Sequence, residues 1–201
     1  MGHILRFSSL TLLISFLLAA PGVHAEKTVE VEIPENSVLS DGVIDKNEMA
    51  HYLVIANKQL SYLAERATEE YQKKLEQETA TMPSGWMLMK DGVTVKELKL
   101  DESAEGAPPQ ARVLMFRAAL KSIARRGQIN AAAILYAGQM SNENPQRILV
   151  IEHEHRLGIS GSKLIPFEKQ GKNISYLQSV TREKPFQMFY DDKSAAPGNS
   201  G

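Results

Sequence analysis

The run Ala131–Ala137 (AAAILYA) is the feature that most restricts the fold. Read with a period of two, one parity carries Ala131, Ala133, Leu135 and Ala137. The other carries Ala132, Ile134 and Tyr136. A strand with one wet face alternates apolar and polar residues. A strand apolar on both parities must be covered on both sides. The run therefore predicts a central strand, and its alanines leave room for a helix to approach closely.

The flanking residues supply a helix before it and a strand after it. Val113, Phe116, Leu120 and Ile123 recur at spacings of three and four, an apolar stripe with Arg112, Lys121, Arg125 and Arg126 mostly off it. Pro108-Pro109 suits the helix start and Gly127 a left-handed stop. Arg125-Arg126 then falls in the last turn, where cations complement the helix dipole. After a polar loop, Arg147 to Leu157 reads as a second strand. Ile148–Ile151 is apolar on both faces. Beyond it Glu152 and Glu154 share one side, and His153 and His155 the other.

The first 25 residues read as a secretory signal peptide: Arg6, then apolar Leu10–Ala20, then Val23-His24-Ala25. The apolar run is too short to predict a transmembrane span. Cleavage after Ala25 leaves about 176 of the 201 residues, enough for one domain. No cysteine occurs, so disulfides, thiol catalysis and a cysteine-linked lipid anchor are excluded. Loss of Arg6 takes the formal charge from −1 to −2. With no basic run, this balance does not suit binding to nucleic acid or an anionic membrane through bulk charge. The expected location is secreted or periplasmic, with no membrane anchor after cleavage.

Thr28–Ile33 (TVEVEI) alternates as a half-buried strand. Asp45 and Glu48 fit a capping box before a long helix over residues 46–78. Placing Ser37–Glu48 on a calcium-loop template puts Leu39 at a ligand position, and leucine cannot coordinate a cation. Turn plus helix cap is therefore the reading taken. The helix stripe runs Met49, Leu53, Ala56, Leu60, Leu63 and Ala67, and from Met49 to Leu63 the sheet should cover it. At roughly 50 Å the helix exceeds a small domain. Past Ala67 only Tyr71 and Leu75 continue the stripe, among paired charges. That predicts a projecting end, solvated or held against a second helix, with Tyr71 and Leu75 as the partner-binding residues.

Trp86–Met89, the Asp91-Gly92 turn and Val93–Leu100 predict a hairpin with Val93, Val95, Leu98 and Leu100 inward. Residues 101–109 read as a linker. Gly158–Ser162 reads as a tight turn, Leu164–Phe167 and Ile174–Thr181 as strands, and Phe186–Tyr190 as a last strand or docking segment. Residues 191–201 suit a disordered tail. The fold class expected is α+β: an antiparallel sheet of about five or six strands, with the long N-terminal helix and the central helix packed on it. Residues 26–190 form its single domain.

The only cluster with chemical potential is Glu152–His155. A His-x-His pair on a strand can present both imidazoles to one divalent metal. A third ligand must come from elsewhere, such as His51 or a carboxylate. Glu152 and Glu154, about 7 Å apart on the other face, suit an acid/base pair only if a pocket forms around them. The alternative is a strand emerging into solvent. The expected function is a non-enzymatic binding or protein-interaction module of the cell envelope, without a cofactor. It would engage another envelope protein or self-associate through the long helix. The competing reading is a metal-dependent hydrolase using His153 and His155.

Overall fold

The computed structural model describes residues 46–77, 82–104, 106–141 and 143–190. Residues 1–25, read as a signal peptide from sequence, the Thr28–Ile33 stretch, the calcium-like loop up to Asp45 and the tail after Tyr190 lie outside the described residues. In chain order the elements are α1 (Lys46–Glu76), β1 (Ser84–Met89), β2 (Val95–Leu98), a 3-10 turn (Glu102–Ala104), α2 (Pro109–Arg125) and β3 (Ile129–Gln139). Then follow β4 (Arg147–His155), β5 (Ile159–Gln170), β6 (Asn173–Tyr176) and β7 (Val180–Glu183).

The strands form one antiparallel sheet in the order β2-β1-β3-β4-β5-β6, with β7 also on β5. The fold is therefore α+β, as the patterning predicts. β3 lies inside the sheet, and its two parities serve different layers. Ala131, Ala133 and Leu135 share a core with Leu60, Leu63, Ala67, Tyr71 and Leu75 of α1. Ala132 and Ile134 share a second core with Val113, Phe116 and Leu120 of α2. The helices thus cover opposite faces. Phe116 comes so close to β1 that a Cβ on Gly85 would lie 2.5 Å from its ring, so only glycine fits there. α2 starts with Pro109 in its first turn and stops at Gly127, whose φ is +65°.

The long helix reverses the expectation drawn from its composition. Tyr71 is 0 % exposed and Leu75 is 1 % exposed, both inside the α1 core. Met49 and Leu53, expected beneath the sheet, are 50 % and 42 % exposed. α1 lies across the sheet from Ala56 to Leu75, and its first turns are the part left uncovered. The charges around Tyr71 and Leu75 face outward. Arg66 pairs with Glu69 at 2.7 Å, and Lys73 pairs with Glu70 at 2.8 Å. Lys74 reaches Glu97 of β2, and Lys169 of β5 donates to the Leu75 carbonyl at 2.7 Å, holding the helix end to the sheet. Tyr71 and Leu75 are therefore core residues and not a partner surface.

Two local expectations also change. The turn after β4 is Arg156–Gly158, with Gly158 at φ +87°, and β5 runs straight through Gly161 and Ser162. The strand expected over 174–181 is real but interrupted. The registers Phe167↔Tyr176 and Leu164↔Val180 leave Leu177–Ser179 facing only Ile165 and Pro166. Proline offers no N–H to a ladder, so the extra residue sits as a bulge where pairing fails. In the β1–β2 hairpin, Val95 joins the α1 side and Leu98 and Leu100 the α2 side, whereas Val93 is 45 % exposed at the turn. There the Asp91 carboxylate accepts from the Thr94 hydroxyl and from the amides of Thr94 and Val93, which holds its pKa below the usual range.

Candidate functional site

The polar end of β4 is buried, not solvated. Glu152 is 4 % exposed, Glu154 0 % and His155 1 %. Alternation along the strand sends the two carboxylates to the α2 face and the two imidazoles to the α1 face. Each group then meets a different element.

Glu152 meets α2. Arg117 reaches down from the flank of its stripe and grips the carboxylate with Nε at 3.0 Å and Nη2 at 2.5 Å. The Tyr136 hydroxyl of β3 donates to the same carboxylate at 2.9 Å. Burial, and then the charge on Glu152, push the Tyr136 phenol well above its ordinary pKa, so it stays a donor. A planar guanidinium on a carboxylate fixes both distance and orientation. This contact sets how α2 sits on the sheet.

Glu154 meets the segment after β7. Its Oε1 accepts from Lys184 Nζ at 2.6 Å and from the Gln187 amide at 2.7 Å. Its Oε2 accepts from the Met188 amide at 2.8 Å and the Phe189 amide at 2.9 Å. Four donors fill the acceptor capacity of one carboxylate. The alternation of Phe186, Met188 and Tyr190 therefore marks a docking segment, and Met188 is 0 % exposed within the α2 core.

His155 meets α1. The Leu157 amide donates to its Nδ1 at 3.0 Å, so the proton sits on Nε2, which faces Gln59 Oε1 at 2.8 Å. Burial, with the nearby charge of Arg156, lowers its pKa to about 4. Asn130 completes this end of the sheet: its Nδ2 donates to the Lys90 carbonyl and its Oδ1 accepts from Arg156. His153 lies over Gly161 of β5, where a Cβ would stand 2.9 Å from Nε2. Its Nδ1 faces the Ile151 carbonyl at 3.3 Å, and burial lowers its pKa.

The structure thus places His153 and His155 on one face, as the spacing requires. It does not give them equal freedom, because both ring nitrogens of His155 are engaged. Among the described residues no three His, Asp or Glu side chains gather as a metal site, and exposed His51 joins neither histidine. Glu152 and Glu154 have their oxygens taken by internal donors. Sequence reasoning missed Arg117, Gln59 and Lys184, which hold these groups. Arg117 carried a faint signal, since it follows Phe116 and so lies at the edge of the buried stripe.

Fold and site together define a three-layer α+β arrangement in which the buried polar residues of β4 join both helices and the C-terminal segment. No helix among the described residues is long and apolar enough to cross a membrane. The chain matches no protein-family model, no curated protein and no solved structure.

Proposed function

We propose that the chain is an exported, non-enzymatic binding or protein-interaction module of the cell envelope. One observation supports this most: Glu152, Glu154 and His155 are held by their own chain at every atom that could transfer a proton or hold a metal. A catalytic group needs a lone pair or proton that a substrate can reach. Here those atoms tie layers together. Export is supported by the order of Arg6, the apolar run and Val23-His24-Ala25. The partner in this reading is another envelope protein.

The test uses the full chain expressed with its leader and purified without chelator. The envelope product should begin at Glu26, carry well under one metal per chain and give a discrete hetero-adduct on cross-linking in intact cells. One tightly bound divalent ion per chain, with a hydrolytic activity lost in His153→Ala and His155→Ala, would overturn this reading in favour of the hydrolase.

A further inference from the structure

The segment Lys184–Tyr190 contains no helix or strand, yet it closes the α2 side of the sheet. Its polar attachments converge mainly on one carboxylate, and its apolar side chains join the α2 core. Lys184 and the amides of Gln187, Met188 and Phe189 converge on Glu154. Met188 fills a place in the apolar cluster that holds Leu120, Ile129 and Ala132. Tyr190 donates its hydroxyl to the Arg156 carbonyl and meets the Phe186 ring edge-on at 5.0 Å. All four residues of β7, which leads into the segment, are exposed.

This is how a groove holds an extended peptide: one side chain in an apolar pocket, main-chain donors on a fixed acceptor, a cation at the rim. Glu154 belongs to a strand paired on both sides and is fully buried, whereas its donors all belong to the strap. A strap without helix or strand, entered from the exposed β7, is also a candidate for local opening without loss of the core.

We propose that Lys184–Tyr190 is a built-in occupant of a peptide-binding slot formed by Glu154 and the α2 core, and that it opens independently of the sheet. The slot then recognises an extended segment of a partner that carries an ammonium group four residues before an apolar side chain. This rests on the reading of the chain as an interaction module and names the chemistry of its partner. While the strap is docked the slot is closed, so binding in trans requires its release.

Hydrogen exchange on the wild-type full chain comes first. The amides of Gln187, Met188 and Phe189 should exchange at least about tenfold faster than those of β3 and β4, through local opening. Equal rates in the two regions would mean that the strap opens only with the whole fold, and would overturn the proposal. The second measurement is binding of a synthetic peptide spanning Arg182–Tyr190 to full-length Met188→Asp, whose own strap is weakened. It should bind, and adding Glu154→Gln should weaken binding at least about tenfold, because an amide cannot replace a carboxylate beneath four donors. A folded Met188→Asp chain that ignores the peptide, or binding indifferent to Glu154→Gln, refutes the slot. If Met188→Asp does not fold, Met188→Ser carries the same comparison, and the wild-type exchange rates by themselves decide whether the strap opens on its own. Failure here with the envelope adduct intact removes the slot and leaves the module reading. A stoichiometric metal removes that reading whatever the strap does.

Discussion

Acidification should destabilise this domain through His155, by an amount that can be worked from its surroundings. The ring is 1 % exposed, accepts from the Leu157 amide and faces Gln59, and its pKa falls from 6.5 to about 4. For a base whose folded pKa is depressed, the unfolded chain takes up the proton first. The stability contributed by the neutral ring is complete above pH 6.5 and is lost as pH falls toward 4. At 1.36 kcal/mol per pKa unit, the loss is about 3 kcal/mol, and burial leaves no solvent screening to discount. Other groups titrate in the same window, so wild type must be compared with His155→Gln. At pH 7 the variant should be less stable by about 1–3 kcal/mol, because the Leu157 amide and Gln59 lose a fitted partner. Between pH 6.5 and 4 that gap should close or reverse, since only wild type has an imidazole there to protonate. Urea unfolding of both proteins at pH 7, 5.5 and 4 measures it. Parallel pH dependences would show that burial does not hold His155 neutral, and would refute the linkage.

Two further outcomes follow from the core. Glu152→Gln, which leaves Arg117 without its counter-charge, should cost about 2–4 kcal/mol, moderated because the Arg117 side chain is 24 % exposed; Glu152→Gln with Arg117→Met should recover part of that loss. Tyr71→Ala should lower the unfolding free energy by about 3–5 kcal/mol in denaturant titration, whereas a change under about 0.5 kcal/mol would mean that the α1 end is not seated on the sheet.

Much of the architecture was legible because it depends on short periods. The two apolar parities of Ala131–Ala137 required cover on both faces, and the stripe Val113–Phe116–Leu120 announced one covering helix. Asp91-Gly92 marked the first hairpin, and Gly127 the end of α2. These features are local: a side chain's neighbours two, three or four residues away determine which way it can face. The pattern over Phe186, Met188 and Tyr190 suited a last strand or a docking segment, and the structure shows docking without a strand.

What tertiary structure alone decided is where polar residues end. Tyr71 and Leu75 are a thin stripe among charges, the same in sequence whether a helix projects or lies on a sheet. Only the path of α1 across β1 to β6 distinguishes the two, and it buries them while leaving Met49 and Leu53 uncovered. The sequence Glu152-His153-Glu154-His155 suggests a wet strand end or a metal pair. Its actual partners are Arg117, 35 residues before Glu152, Gln59, 96 residues before His155, and Lys184, 30 residues after Glu154. Burying a charge or an imidazole is costly unless a partner is already in place. No period along the chain encodes partners at such distances. They exist only once the sheet, two helices and a strap have been brought together.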